Sequence, residues 1–321
     1  MSNMKVYAVL TEKIASDIQS AINNKASFSW VKPWKGYPTG NFISYTKNPE
    51  AFKAYRGINR LILDGGLYIT MNQLNELEKK DDKVYKVKKG SHRETVYFYK
   101  PRRVERKDAD GNVMVDDEGN PIMTQYMICR FYNVFNIADI EGLDDFVVEG
   151  IDTEYDETKL SKKADKIIKE YCKRSGVVFK AKKGVDSAYH NPNTHEVIVP
   201  AKSQFNSLEE YYSTVFHELT HSTKSHCGRE QAKKKGDSKY SFEELVAELG
   251  ACFLMQEIGF DTTKTATNST AYLKGWLSAL KNDVSLIMKA SNQAQKAFDY
   301  ILNIEFEANN EETEDNKEVV A

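Results

Sequence analysis

The sequence predicts an α+β fold in two domains, residues 1–145 and 146–305, followed by a disordered acidic tail, residues 306–321. The length of 321 residues is about twice that of a common domain, so each half is long enough to bury its own core. The charge changes sign along the chain: residues 1–135 carry 22 basic against 15 acidic side chains, and the remainder carries 23 against 32. Patterns typical of helices and of strands alternate in both halves. We therefore expect two mixed domains with different partners.

Helices and strands are mixed in the first domain. Apolar residues recur at helical spacing through residues 5–24, and further helices are expected near 55–63 and 70–79. Alternating apolar patterns predict strands at 94–99 and 127–135. Clusters of Asp, Gly and Asn between these strands predict turns of a hairpin. They do not predict a calcium loop, because they lack the glutamate that ends such a loop.

The second domain is expected to be mainly helical around short strands. Its elements follow one another as helix, strand, turn, strand and three helical regions. In chain order they are predicted at 160–175, 177–179, 189–194, 196–200, from 207 onward, at 241–258 and at 270–302.

The five residues His-Glu-Leu-Thr-His at 217–221 form the most specific pattern in the chain. On a helix, His217 and His221 lie one turn apart on the same face, so both imidazoles can bind one metal ion. Glu218 lies between them and can accept a proton from a water molecule that the metal activates. The pattern indicates a zinc-dependent peptidase, and a structural pair of helix histidines is the alternative.

A catalytic zinc site usually has a third protein ligand, and the helix at 241–258 offers three glutamates among apolar residues. A carboxylate on such a face is costly unless it is paired or binds a metal. Glu244 and Glu248 are four residues apart and share a face. This arrangement resembles the gluzincin pattern, which implies that Glu244 binds the metal and that Glu248 supports a ligand histidine. The reverse assignment stays open; Glu243 is expected to be solvated or to cap the helix, and His226 is an alternative ligand.

The cysteine pattern and the lack of long apolar runs indicate a cytoplasmic protein. The four cysteines are scattered and form no Cys-x-x-Cys pair, which is typical of reduced thiols. The first residues lack the apolar stretch of a signal peptide, and no run reaches the length of a membrane span. We therefore expect neither secretion nor membrane association.

Taken together, these patterns resemble the ArdC antirestriction family of mobile genetic elements over nearly the full length of the chain. The HELTH and EELVAELG segments carry the resemblance in combination, and weaker matches support it at 30–34, 55–59, 88–90, 135–143 and 276–300. The resemblance implies an N-terminal domain that binds single-stranded DNA, joined to a zincin-like metallopeptidase domain. The segment 102–125 is longer than the family pattern leads us to expect, so the resemblance assigns that hairpin no role.

The composition of the first half also supports binding to a single strand. Such proteins combine a basic groove with aromatic side chains on which bases stack. Basic and aromatic residues are interleaved through residues 30–107. Our candidates for DNA contacts are Trp34, Tyr55, Arg56, Lys88, Lys89 and Arg93. The alternative is that the aromatic residues belong to the core and the lysines only add solubility.

The resemblance therefore implies an antirestriction protein with a zinc peptidase site. His217, His221 and Glu244 would hold Zn²⁺, or another divalent metal such as Mn²⁺. Glu218 would act as the general base when a metal-activated water attacks a peptide carbonyl. The expected partners are single-stranded DNA and a host protein that serves as the peptidase substrate. The alternative is a protective single-strand-binding protein whose metal site is structural or vestigial and which has no peptidase activity.

Overall fold

Helices and strands are interspersed along the described chain, which confirms the predicted α+β class. The computed structural model describes residues 3–24, 39–49, 52–63, 65–144, 146, 155–229, 238–261 and 270–305, so the predicted tail lies outside it. The helices are α1 (Asn3–Asn24), α2 (Phe42–Lys47), α3 (Ile58–Ile62), α4 (Met71–Asp81), α5 (Glu157–Ser175), α6 (Leu208–Ser222), α7 (Ser238–Ile258), α8 (Thr270–Asn282) and α9 (Leu286–Leu302). The strands are β1 (Gly40–Asn41), β2 (Leu67–Ile69), β3 (Lys86–Val87), β4 (Glu94–Glu105), β5 (Met123–Asn136), β6 (Ile140–Glu141), β7 (Val178–Lys182), β8 (Tyr189–Asn191) and β9 (Glu196–Pro200).

The first half is built around a long β-hairpin. β4 and β5 pair antiparallel from Glu94↔Val134 to Glu105↔Met123, so both strands are longer than the sequence predicted. Strand pairing needs only backbone groups, and it therefore continues past the apolar runs into the basic segment. β5 also pairs with β2, and β1 completes a sheet of order β1-β2-β5-β4 with β4 at an edge. A separate two-stranded sheet joins β3 to β6.

Two Asp-rich loops beyond the hairpin are turns. Asp108 Oδ1 accepts hydrogen bonds from the backbone N–H groups of Asp110 (3.0 Å) and Asn112 (2.9 Å). Asp116 Oδ1 accepts the matching pair of bonds from two and four residues further on, at 3.0 and 2.9 Å. Backbone hydrogen bonds of this kind lower the pKa of both aspartates. Each carboxylate thus accepts hydrogen bonds within its own loop, as is typical of a turn.

Local capping explains where the helices of the first half begin. Thr70 Oγ1 accepts a hydrogen bond from the Gln73 N–H (3.2 Å), and Gln73 Oε1 accepts one from the Thr70 N–H (3.1 Å), which forms a capping box at α4. The helix predicted near 55–63 is shorter, because Gly57 adopts a φ of 55° immediately before α3. No helix in the described part of the chain combines the length and the apolar character that a membrane span requires.

The second half places its helices around a small three-stranded sheet. β9 lies at the centre, parallel to β7 and antiparallel to β8. Buried apolar residues of α5 to α9 and of β9 form one cluster, which includes Phe216, Leu249 and Phe253. Leu10 and Ile14 of α1 belong to the same cluster, because α1 packs against α8. The N-terminal helix therefore contributes to the core of the second half.

α3 connects the hairpin to the helices of the second half. Arg60 donates to Glu257 Oε2 (2.9 Å), and its guanidinium carbon lies 4.5 Å from the centre of the Phe298 ring. On the other side, Asn59 donates to the Tyr97 carbonyl and accepts from the Tyr97 N–H, both at 2.8 Å. Because β4 is an edge strand, this side-chain amide takes the place of a further strand.

Asn59→Ala is expected to lower the free energy of unfolding by about 2 kcal/mol, because the Tyr97 N–H and carbonyl lose their side-chain partner. Asn59 is only 4% exposed, so water cannot readily replace it. Urea denaturation of the two proteins measures the difference. The control is Asn75→Ala on the exposed face of α4, which should change stability by less than about 0.5 kcal/mol. Equal transition midpoints for the two variants would contradict the role given to Asn59.

Candidate metal centre

α6 begins where the sequence predicts. Ser207 Oγ accepts a hydrogen bond from the backbone N–H of Glu210 (3.1 Å), and acidic residues in the first turn complement the positive end of the helix. Phe216 is fully buried on the core side, whereas His217 and His221 are partly exposed. The helix is thus held by its core face and presents both imidazoles one turn apart.

Glu244 of α7 lies opposite the two imidazoles. The Nε2 atoms of His217 and His221 are 3.1 Å apart, and each lies 3.6 Å from a carboxylate oxygen of Glu244. An ion bound tetrahedrally at about 2.0 to 2.1 Å holds its ligand atoms about 3.3 Å apart. The three side chains therefore fit one metal ion, and two imidazoles with one carboxylate are a donor set of catalytic zinc sites. Within the described ranges, no other His, Cys, Asp or Glu side chains are grouped in this way.

Glu248, one turn further along α7, contacts the other nitrogen of the His217 ring. Its Oε2 atom lies 3.4 Å from Nδ1, while Nε2 faces Glu244. Burial disfavours a charge on His217, but hydrogen bonds with Glu244 and Glu248 outweigh this effect and raise the pKa of the imidazole. The geometry favours Glu244 as the metal ligand and Glu248 as the residue that supports His217. This is the first of the two assignments that the sequence left open.

The expectation that Glu243 is solvated or caps the helix is wrong. Glu243 is 4% exposed, and its Oε1 atom lies 3.0 Å from Nδ1 of His221. Arg229 donates to both of its carboxylate oxygens, at 2.9 and 3.1 Å. Burial opposes ionisation of Glu243, but its bonds with His221 and Arg229 lower its pKa to about 2. Sequence reasoning missed this pair because Glu243 lies off the face shared by Glu244 and Glu248, and the loop that carries Arg229 has no periodic pattern.

Glu218 and His226 have different surroundings. Glu218 is 8% exposed and directly follows His217 on α6, and its charge contributes to raising the pKa of that imidazole. His226 instead stacks on the ring of Tyr300, with ring centres 3.5 Å apart. It does not belong to the cluster of candidate ligands.

β8 lies at the edge of the three-stranded sheet and contacts α6. Tyr189 on this strand is 44% exposed, whereas Nε2 of His190 is buried and has no hydrogen-bond partner among the described residues. Burial, followed by the charges of His195 and His221, lowers the pKa of His190 to about 4, so its imidazole is neutral near pH 7. An edge strand of this kind can pair with an extended peptide.

Comparison with known proteins identifies both halves of the chain. The family model for the N-terminal domain of anti-restriction factor ArdC matches residues 4–135, and a zincin-like metallopeptidase model matches residues 164–293. The chain belongs to the ArdC antirestriction family. These matches confirm both the family and the two-domain architecture that the sequence predicted.

Two crystal structures of the antirestriction ArdC protein from plasmid R388 resemble this ArdC-family chain over most of their length. The metal-free structure has a TM-score of 0.60 and 28% sequence identity, and the match covers 92% of this chain and 96% of that one. The Mn(II)-bound structure has a TM-score of 0.59 and 27% identity, with coverage of 92% and 97%.

Curated relatives of this ArdC-family chain include two DNA primase TraC proteins of Escherichia coli. One is 27% identical, and the match covers 93% of this chain but 20% of the primase. The other is 28% identical, with coverage of 88% and 26%. This chain therefore corresponds to about a fifth to a quarter of the length of these proteins. The uncharacterized protein y4eC of Sinorhizobium fredii is 26% identical, and the match covers 90% of each chain.

Two candidate DNA contacts of this ArdC-family chain have partners inside the protein. Tyr55 is 7% exposed and packs edge-on against Tyr68, with ring centres 6.1 Å apart. Arg56 forms an ion pair with Asp299 of α9. A base could stack on Tyr55 only after the ring became exposed, whereas the Arg56 side chain is 31% exposed but already paired with a carboxylate.

The other candidate DNA contacts lie near the start of the hairpin or outside the described residues. Lys88 Nζ lies 2.9 Å from a carboxylate oxygen of Asp144. Lys89 and Arg93 are exposed, and Trp34 is not among the described residues. Lys89 and Arg93, together with Lys88, whose side chain is 40% exposed despite its ion pair, are therefore the described candidates that a strand could reach without rearrangement.

Proposed function

We propose that this chain is an antirestriction-type protein of a mobile genetic element, which binds single-stranded DNA with its first half and hydrolyses peptide bonds at the metal centre of its second half. The observation that carries the proposal is the grouping of His217, His221 and Glu244 near Glu218. Family membership supports it, since the similar protein from plasmid R388 is named an antirestriction protein. We place the protein in the cytoplasm, where unpaired thiols such as Cys172 stay reduced.

The metal in this proposal is Zn²⁺, with Mn²⁺ as the alternative. Two imidazole nitrogens and one carboxylate oxygen suit a catalytic zinc ion. The R388 protein is known in a Mn(II)-bound structure, which supports the alternative. When bound, such a metal polarises a carbonyl group and lowers the pKa of a water molecule.

Each side chain of the centre has a separate role in the proposed hydrolysis. His217, His221 and Glu244 would hold the metal, with both imidazoles offering Nε2. Glu248 Oε2, 3.4 Å from Nδ1 of His217, would accept a hydrogen bond from that nitrogen and so select the tautomer of the ring. Glu218 accepts a proton from the attacking water and returns it to the leaving amine. The substrate, a host protein bound near the incoming strand, presents an extended segment along β8.

The β4–β5 hairpin is the surface that we propose for single-stranded DNA. Phe98 is 44% exposed, and its register partner Arg130 is exposed on the same face. Arg102, four residues along β4, is exposed on that face as well. A ring between guanidinium groups offers both the stacking platform and the phosphate contacts that a single strand requires. Lys89 and Arg93 precede β4 and extend the positive charge.

The full chain is expected to bind a single-stranded oligonucleotide more tightly than its duplex, with an affinity that falls as salt rises. Phe98→Ala should weaken binding about 5- to 150-fold, because stacking of a base on an aromatic ring contributes about 1 to 3 kcal/mol. Fluorescence anisotropy of a labelled oligonucleotide across a salt series measures both effects.

Val115→Ala is the control for the hairpin surface, because Val115 is 55% exposed but lies beyond the paired strands. This variant should bind DNA as the unchanged protein does. Equal affinity of the unchanged protein for single strand and duplex would contradict the DNA proposal. Unchanged affinity of Phe98→Ala would contradict only the choice of surface.

A further inference from the structure

A buried ion pair lies behind His221, next to the ring nitrogen that faces away from the candidate metal position. The side chains of Arg229 and Glu243 are 2% and 5% exposed. Arg229 Nε lies 2.9 Å from Oε2 of Glu243, and Nη2 lies 3.1 Å from Oε1. The same Oε1 is 3.0 Å from Nδ1 of His221, whose Nε2 faces Glu244. The arginine thus reaches a candidate ligand through one carboxylate.

The last turn of α6 and its C-cap residue, Thr223, hold Arg229 in place. Its Nη1 donates to Thr223 Oγ1 (3.1 Å), and its Nη2 donates to the carbonyl of Thr220 (2.8 Å). These two residues lie on either side of His221 in the chain. Arg229 therefore ties the end of α6 to Glu243 of α7, and these two helices carry all three candidate ligands.

Stability alone does not explain a pair of charges in this position. Removing both charges from water costs about as much as their attraction returns, and apolar residues of similar volume are often more stable. The two ligand histidines also differ in their support. The carboxylate beside Nδ1 of His217, that of Glu248, has a side-chain exposure of 22%, against 5% for Glu243. His221 therefore has the more deeply buried carboxylate partner, Glu243, and Arg229 donates hydrogen bonds to that carboxylate.

We propose that Arg229 is a positioning residue of the metal centre, which sets metal affinity by holding Glu243 against Nδ1 of His221. With Glu243 fixed, His221 donates from Nδ1 and keeps Nε2 available for the metal. Arg229 touches neither the metal nor the substrate in this proposal, and it acts only through Glu243. The inference rests on the proposed metal site and adds two residues that determine its affinity.

A double-mutant cycle on metal affinity tests the proposal. Zn²⁺ affinity is measured by competition with a chelating dye for the unchanged full chain, Arg229→Gln, Glu243→Gln and the double variant. Each single change is expected to weaken binding about 10- to 100-fold. Because Arg229 acts through Glu243, the double variant should bind about as weakly as Glu243→Gln alone. Arg174→Gln is the control. Among the described residues, Arg174 donates to the backbone carbonyls of Tyr300 and Ile301 and lies over the rings of Tyr171 and Tyr300, so its loss should leave Zn²⁺ affinity unchanged.

The outcomes separate this inference from the proposed function. Failure of the unchanged chain to bind Zn²⁺ or Mn²⁺ would overturn the metal site itself. Metal binding by the unchanged chain together with an affinity of Arg229→Gln within twofold would overturn the role of Arg229. Losses that add in the double variant would show that Arg229 acts independently of Glu243, which also contradicts the inference. If circular dichroism shows that Arg229→Gln does not fold, Arg229→Lys replaces it in the same cycle. Its Zn²⁺ affinity is then compared with that of the unchanged chain and of the double variant in the same way.

Discussion

Replacing Glu218 with glutamine is expected to slow peptide hydrolysis by about 10²- to 10⁴-fold while the metal stays bound. The amide has nearly the shape of the carboxylate but cannot accept a proton from the attacking water. Glu218 is not one of the three side chains whose donor atoms fit the ion, so the metal-binding group is left intact. Hydrolysis of fluorescently labelled casein measures activity, and elemental analysis of the purified protein measures metal content.

Glu170→Gln is the control for Glu218→Gln, because Glu170 lies exposed on α5 and pairs only with exposed Lys166 in the described ion pairs. It should hydrolyse casein at the rate of the unchanged protein. Full activity of Glu218→Gln would remove Glu218 from the mechanism. If the unchanged chain binds DNA and metal but cleaves neither casein nor host proteins, the alternative of a protective DNA-binding protein with a structural metal site is favoured. Persistent protection against restriction in Glu218→Gln would show that hydrolysis is not the means of protection.

Gly250→Ala is expected to lower both the stability of the protein and its affinity for metal. A Cβ atom at Gly250 of α7 would lie 2.6 Å from Cγ2 and from Oγ1 of Thr220 on α6. Thr220 is fully buried, and its hydroxyl donates to the Phe216 carbonyl at 2.8 Å, so it has little room to move. Alanine favours a helix over glycine by about 1 kcal/mol, but overpacking costs about 1 to 3 kcal/mol. We expect a net loss of about 1 kcal/mol and a weaker metal site, because α6 and α7 carry its ligands and must separate.

Urea denaturation and chelator competition measure the two effects of Gly250→Ala. Gly275→Ala on α8 is the matched control. Outside its own helix backbone and chain neighbours, no described atom lies within 4 Å of the added Cβ, so this change should stabilise the protein slightly. Adding Thr220→Ala to Gly250→Ala removes the two closest atoms and should restore metal affinity. A Gly250→Ala variant as stable as Gly275→Ala would show that the contact between α6 and α7 is not tight.

Short-range patterns in the sequence were sufficient to predict the helix at the centre of the site. Ser207 begins α6, and the spacing of His217 and His221 places both imidazoles on one face. Capping and helical periodicity depend on residues within a turn or two of each other, so they can be read without knowledge of the fold. The lengths of β4 and β5 were less predictable, because backbone pairing continues where the apolar pattern ends.

The support of the metal site depended on helix packing. Glu244 and Glu248 share a face of α7, and the sequence cannot tell which of them meets the histidines. The close approach of α7 to α6 at Gly250 brings Glu244 opposite both Nε2 atoms and leaves Glu248 beside Nδ1 of His217. The role of Glu243 follows from the same packing, because its neighbour Arg229 comes from a loop with no pattern of its own.

The sequence by itself determined the family, the mixed fold and the ligand-bearing helix, because these depend on local patterns and on residue types at fixed spacing. Only the tertiary structure decided which basic and aromatic residues have partners within the protein. Tyr55 packs on Tyr68, and Arg56 pairs with Asp299, more than two hundred residues away. An aromatic ring can equally fill a core or stack on a base, and an arginine can equally bind a carboxylate or a phosphate. Composition therefore cannot separate these uses, and contacts between distant parts of the chain decide them.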